Sequence, residues 1–246
     1  MKQNVRTLFL SDIHLGFRGC QADALLSFLK TVDCDHIILI GDIIDLWNMK
    51  TKLYWPIAHN DIVRHLIKRA KKKGTKIIFI PGNHDELLRT YVGSEFAGVE
   101  IHHEYTHHLI DGRKMHCVHG DKFDLVIQNT RWLAVFGSRL YDLSLSLNRH
   151  LNILRKRLGL SYWSLSQYLK FRVKRAVQYI DNFSQAVVKE AHLKQVDGIV
   201  AGHIHHAEIT MIDGVLYANC GDWVESCTAI VEHYDGTLEL IKYKPV

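Results

Sequence analysis

Residues 5–16 read VRTLFLSDIHLG: an apolar run that stops abruptly on a Ser-Asp-Ile-His cluster. The same event recurs in HIILIGDIID at 36–45 and in KIIFIPGNHD at 76–85. Short apolar runs rich in β-branched residues and bounded by turn formers are the mark of buried strands. Val5–Leu10, Ile37–Ile40 and Ile77–Ile80 are therefore expected to be strands. Between them Ala22–Leu29 and Ile62–Lys73 have helical periodicity. Lys71, Lys72 and Lys73 followed by Gly74 form a helix stop, with cations at the negative end and a glycine free to turn left-handed. This β-α-β-α-β order predicts a parallel sheet whose carboxyl-terminal strand ends share one edge.

Beyond Gly98 the texture changes. Asp111-Gly112, Asp213-Gly214 and Asp235-Gly236 each separate runs that can pair as antiparallel hairpins. His102, His103, His107 and His108 are expected in two strands of one such hairpin, outside the site. Trp132, Phe136, Leu140, Leu143, Leu147, Leu151, Leu154 and Leu158 then recur at helical spacing up to Gly159. A second stripe runs through Leu169, Val173, Ala176, Ile180, Phe183 and Val187, preceded by a capping-box pattern at 164–167.

The charge follows this division. Thirteen Lys and Arg stand against four Asp and Glu from Lys122 to Gln195, a net +9, which leaves −4 for the rest of a chain whose total is +5. A basic helical segment on a mildly acidic body suggests an anionic partner: phosphate, nucleic acid or anionic lipid. With 47% hydrophobic and 23% charged residues in 246, the chain is globular, and disordered, collagenous and membrane-bundle classes are excluded. The N-terminus lacks the apolar stretch of a signal peptide, so a cytoplasmic address is expected. Five scattered cysteines without CxxC spacing fit reduced thiols.

Two further motifs, VHGD at 118–121 and GHIHH at 202–206, complete the polar clusters. If the strand ends share an edge, Asp12, His14, Asp42, Asp45, Asn83, His84, His119, His203 and His205 meet in one site. In extended chain Asp12 and His14 point to one side, as do His203 and His205, so each pair can chelate. Carboxylates, imidazoles and one amide suit manganese first, or iron or zinc, better than magnesium or calcium. One cation would not use them all; two sharing a carboxylate, roughly 3.5–4 Å apart, would.

These five motifs, in this order, resemble those of the calcineurin-like metallophosphoesterases over roughly Val5–Gly120 and Gly198–Tyr243. The resemblance implies an α/β fold, a four-layer α-β-β-α sandwich. Its core would be 1–121 with 196–246, and the basic helical insertion 122–195 would be a lid. It implies that Asp12, His14, Asp42 and His205 hold one divalent metal ion and that Asp42, Asn83, His119 and His203 hold a second. Asp42 would be the bridge, with Asn83 also touching substrate. His84 matches the family's catalytic histidine and Asp45 the carboxylate that orients it; His206 matches nothing. The implied reaction is in-line attack on phosphorus by a metal-held hydroxide.

Within that superfamily the chain is similar to the bacterial UDP-2,3-diacylglucosamine pyrophosphohydrolases. The likeness rests on length, on the helical insertion and on the ending NCGDWVESCTAIVE at 219–232. Characterised members carry GNRD where this chain has His84. The similarity implies a nucleotide-lipid diphosphate substrate, cleaved to UMP and a lipid 1-phosphate, with peripheral contact at the cytoplasmic face of the inner membrane. Lys170, Lys174 and Arg175, close on one helical face, are the expected phosphate contacts. The rivals are a nuclease or other phosphodiesterase, a phosphomonoesterase and a non-catalytic interaction module. No aromatic-interleaved motif supports nucleic acid, and the sequence leaves the oligomeric state open.

Overall fold

The computed structural model describes residues 3–125 and 165–244. The first half alternates as expected: β1 (Gln3–Leu10), α1 (Ala22–Thr31), β2 (Val32–Ile40), α2 (Leu46–Thr51), α3 (Ile57–Lys73) and β3 (Lys76–Ile80). Short strands β4 (Glu95–Phe96), β5 (Val99–Ile101), β6 (Tyr105–His108) and β7 (Lys114–Cys117) follow. After α4 (Leu165–Lys194) come β8 (Gly198–Ala201), β9 (Glu208–Ile212), β10 (Val215–Asn219), β11 (Thr228–Glu232) and β12 (Leu238–Lys242). Gly74 ends α3 at φ 68°, ψ 17°, the left-handed stop that its sequence predicts.

The strands form two sheets, of order β12-β11-β1-β2-β3-β5-β4 and β6-β7-β8-β10-β9. β1, β2, β3 and β5 run parallel, as do β7, β8 and β10. The three Asp-Gly turns each join an antiparallel pair: β6 with β7, β9 with β10, and β11 with β12.

Successive side chains of a strand point to opposite faces, and here both faces are buried. Leu8, Leu10, Ile37, Leu39, Ile77 and Phe79 pack with Leu25, Phe28 and Leu29 of α1 and with Ile62 and Leu66 of α3. Their neighbours Phe9, Ile38, Ile40, Ile78 and Ile80 pack with Met115, Cys117, Val200 and Ala218 of the second sheet. Each such burial stabilises by about 1.5–3 kcal/mol. That double burial explains why these strands read as unbroken apolar runs. On the far face of the second sheet, Glu190 near the end of α4 lies against His116 of β7, completing the α-β-β-α layering.

One expectation is corrected. His102 and His103 lie in the link between β5 and β6, and only His107 and His108 are in a strand, β6. The two strands cannot pair because they belong to different sheets. His107 is instead buried at the sheet-to-sheet junction, its Nε2 2.9 Å from Glu232 Oε2.

The chain divides into two compact units, Met1–Lys122 with Val187–Val246, and Phe123–Ala186. Within the second, the Phe123 ring meets Phe183 edge-on and Tyr179 donates to Asp124 at 2.7 Å. The Trp132–Leu158 stripe and Ser164 lie outside the described residues, as do the side chains of Lys170, Lys174 and Arg175 on α4. Among the described residues no helix is long and apolar enough to cross a membrane, and none of the five cysteines is in a disulfide.

Candidate metal centre

Five parallel strands, β1, β2, β3, β7 and β8, each end where one of the five motifs begins, and the motif side chains converge there. His205 Nε2 stands 3.2 Å from Asp12 Oδ1, and His14 Nε2 stands 4.0 Å from the same oxygen. His119 Nε2, His14 Nε2 and His84 Nε2 lie 3.4, 3.9 and 3.9 Å from Asp42 Oδ2. Asp12, His14 and His205 form one group of potential ligands, and Asp42, His119 and His203 form another. Asp42 Oδ2 also lies 3.9 Å from His14 Nε2, which brings the two groups together.

The pairs reach this geometry by a different backbone from the one expected. Asp12 and His14 are not extended: their φ values are 50° and 56°, and those of Asp42, His203 and His205 are 53°, 73° and 54°. Left-handed backbone costs roughly 1–2 kcal/mol per residue and is best tolerated by Asp, Asn and His. Five of the nine such non-glycine residues described are predicted ligands, so the strain is concentrated where side chains must be aimed. It also sends His203 and His205 into different groups.

Close approach is secured by Gly82. A Cβ there would stand 2.3 Å from Asp42 Oδ1 and 2.6 Å from His119 Cδ2. Asp85, fully buried, ties the same loops together. Its carboxylate accepts from the backbone N–H groups of Gly82 at 2.6 Å, Ile43 at 2.8 Å, Ile44 at 3.2 Å and Asp42 at 3.3 Å. Burial and the neighbouring Asp42 charge push its pKa up to about 6. Asn219 anchors the GHIHH loop through Gly202 O at 2.8 Å. Neither residue had an assigned role from sequence. The only hints were their places inside GNHD and NCGDW.

Asp45 holds two imidazoles. His84 Nδ1 lies 3.0 Å from Asp45 Oδ1 and His14 Nδ1 lies 3.1 Å from Oδ2, while Asn48 donates to both oxygens. The sequence pointed only to the first contact. Trp47 on α2 covers His84, ring centroids 4.5 Å apart, and donates to Glu86.

Does this set fit a cation? His119 Nδ1 lies 3.0 Å from Ile40 O, which only accepts, so Nδ1 carries the hydrogen and Nε2 presents a lone pair toward Asp42. Asp12 Oδ1, His14 Nε2, Asn83 Oδ1 and His119 Nε2 are all buried without a hydrogen-bond partner. Orphaned lone pairs facing one another are unstable unless positive charge lies between them. The same carboxylates also draw positive charge in the form of a proton. Burial opposes a charge on His119 and His205, yet Asp42 beside the first and Asp12 beside the second push their pKa values up to about 10 and about 9. Burial likewise raises Asp42, but His119, His14 and His84 hold it well below the ordinary carboxylate range. The donor set fits divalent cations.

Other histidines stand apart. His206 is exposed and 4.0 Å from Glu208. Glu104, His116 and Glu190 also gather, but there the amines of Lys122 and Lys194 already pair with both carboxylates.

The family model described as calcineurin-like phosphoesterase matches residues 5–207. A UDP-2,3-diacylglucosamine hydrolase of Aliivibrio fischeri (strain MJ11) is 26% identical over 245 residues, covering 96% of this chain and 97% of the relative. Its counterpart in Neisseria meningitidis serogroup A is 27% identical over 233 residues, covering 91% and 92%. In fold, a hypothetical protein from Pyrococcus horikoshii OT3 is similar at a TM-score of 0.50 with 10% identity, covering 99% of this chain and 89% of that one. The matched span takes in every one of the five motifs, and the chain belongs to the calcineurin-like phosphoesterase family and is a phosphoesterase.

Proposed function

We propose that this phosphoesterase hydrolyses UDP-2,3-diacylglucosamine or a close nucleotide-lipid diphosphate to UMP and a lipid 1-phosphate, using two divalent cations, manganese by preference over iron or zinc. The observation that carries it is Asp42, whose carboxylate belongs to the second group of potential ligands and also lies 3.9 Å from His14 Nε2 of the first. Asp12, His14, Asp42 and His205 would hold the first cation, and Asp42, Asn83, His119 and His203 the second. When bound, such a pair neutralises phosphate charge and supplies a nucleophile from water near neutral pH.

The chain's own groups do the rest. Asp45 fixes the ring planes of His14 and His84 through their Nδ1–H groups, which leaves each Nε2 turned toward Asp42. Burial works against a charge on His84, but its hydrogen bond to Asp45 and the nearby Asp42 raise its pKa, which favours a proton on Nε2 that the leaving oxygen could take. Trp47 walls off one face of that ring.

For the substrate, support comes from relatives named for UDP-2,3-diacylglucosamine hydrolysis that align over almost the whole chain. A second support is apolar exposure. Of thirteen exposed large hydrophobic residues among those described, eight come from two segments that follow the GDIID and GNHD motifs. They are Trp47, Leu53, Trp55 and Ile57, then Leu87, Tyr91, Val92 and Phe96. In this reading 1–121 with 196–246 is the catalytic core and 122–195 a lid whose Lys170, Lys174 and Arg175 meet phosphate. The enzyme then works at the cytoplasmic face of the inner membrane, in peripheral contact with its lipid. The presence of His84 in place of arginine favours a second reading, in which another phosphate ester is the substrate.

The test is to incubate purified protein and manganese with UDP-2,3-diacylglucosamine and to separate UMP from UDP. Release of UMP is expected. Inactivity toward this lipid, alongside robust hydrolysis of another diphosphate or diester, would overturn it.

A further inference from the structure

We infer that the cavity beside His119 seats the nucleoside half of the substrate, with Arg89, Asp121 and Lys122 reading the edge of a uracil-like base. This rests on the reading of a nucleotide-lipid diphosphate as substrate and adds where its polar half goes.

The cavity has a volume of about 350 Å³ and is lined by Pro81, Arg89, His103, Glu104, Val118, His119, Asp121 and Lys122. Three features decide the occupant. The first is position: His119 forms part of the wall and its Nε2 lies 3.4 Å from Asp42 Oδ2, so the cavity adjoins the candidate metal centre. The second is size. The volume lies at the small end of the roughly 300–1,000 Å³ typical of ligand pockets, room for one compact polar group and not for two acyl chains.

The third is chemistry. Among the described lining residues Pro81, Val118 and the carbon stems of the long side chains give apolar wall, and Arg89, Asp121 and Lys122 give polar ends. That mixture suits the flat faces and polar edge of a base, whereas eight of the thirteen exposed apolar residues described fall in segments 47–57 and 87–96. An amphiphile with a nucleotide at one end and acyl chains at the other is matched by that separation. Arg89 Nη2 donates to Asp121 Oδ2 at 2.8 Å and to Pro81 O at 3.3 Å. Its Nε, also buried, has no acceptor among the described residues. A buried donor left unmade costs about 1–3 kcal/mol, which a ligand oxygen would recover. Arg89 and Lys122 are donors, Lys122 while also paired with Glu104 and Glu190, and Asp121 is an acceptor with lone pairs to spare. That is the complement of an imide edge, whose two carbonyl oxygens flank one N–H. Cytosine, which lacks the N3 hydrogen, would leave the Asp121 carboxylate facing a lone pair.

The experiment uses the full chain with manganese and reads inhibition of bis-p-nitrophenyl phosphate hydrolysis by UMP, CMP and inorganic phosphate. In the wild type UMP should inhibit about tenfold more tightly than phosphate and more tightly than CMP. The ratio of the phosphate to the UMP inhibition constant, taken within each variant, cancels changes at the metal centre. In Asp121→Asn and in Arg89→Lys that ratio should fall toward one. Equal inhibition by UMP and phosphate in the wild type overturns the assignment without any variant, and so does an unchanged ratio in both variants. If UMP outcompetes phosphate but the lipid is not hydrolysed, the substrate reading fails and the nucleoside seat stands. If the lipid yields UMP while the ratio is indifferent to both variants, the seat fails alone.

Discussion

Replacing Gly82 with alanine tests whether the packing around Asp42 is what makes the centre. The new Cβ would fall 2.3 Å from Asp42 Oδ1, 2.6 Å from His119 Cδ2 and 2.7 Å from Asp42 N. Ordinary carbon contacts lie near 3.5 Å, so Asp42 or the β3 loop must give by about 1 Å. The loop cannot retreat freely, because Asp85 clamps Gly82 N and His84 N is bound to Asp42 Oδ1 at 2.8 Å. A displacement of that size in a catalytic constellation costs on the order of 10²-fold in rate, or about 2.7 kcal/mol of barrier. Overpacking should cost about 1–3 kcal/mol of stability. The assays are kcat/KM on bis-p-nitrophenyl phosphate with manganese, bound metal by mass spectrometry, and urea unfolding. Gly93→Ala is the control: its φ is +86° but nothing lies within 4 Å of a Cβ, so it should lose stability and keep activity. A folded Gly82→Ala protein with wild-type metal content and turnover would refute the reasoning.

Asp45→Asn should lower kcat by about 10²–10⁴-fold, since it disorients both His14 and His84; an unchanged kcat would show that neither ring needs that carboxylate. Chelation should abolish turnover and lower the melting temperature, with manganese restoring both. At a hundredfold excess over Kd the cation should add about 2.7 kcal/mol, and a melting curve indifferent to chelator would contradict this. Glu232 predicts an acid limb. Burial raises its pKa, but hydrogen bonds from His107, Thr7 and the Ile110 N–H outweigh that and hold it at about 2. A lowered carboxyl stabilises the fold above its unfolded pKa and loses that contribution as pH falls through the folded value. About 3 kcal/mol should thus disappear between pH 5 and 2 in the wild type and not in Glu232→Gln; parallel unfolding free energies across that range would count against it.

The motif residues were legible because each is local to a strand end: an apolar run, a turn former and a polar side chain lie within a few positions. Asp12, Asp42, Asn83 and His119 could be assembled by assuming that parallel strand ends share an edge. Asp85 and Asn219 could not be given roles, because a carboxylate that ties Gly82 to the Asp42 loop looks in sequence like any other polar loop residue. His102 and His103 read as strand residues but fall in the link that carries the chain from β5 to the other sheet. His107 lies in a hairpin strand as expected, and its contact with Glu232, 125 residues away, has no local signal.

Sequence alone therefore determined the alternation of strands and helices, the Asp-Gly hairpins and the order of the polar clusters, because burial periodicity and turn chemistry act over a few residues. The tertiary structure decided which lone pairs face one another, that the ligand pairs sit on left-handed and not extended backbone, and that Asp45 serves two rings. Those outcomes depend on sheet-to-sheet packing and on left-handed backbone that only the assembled fold can sustain.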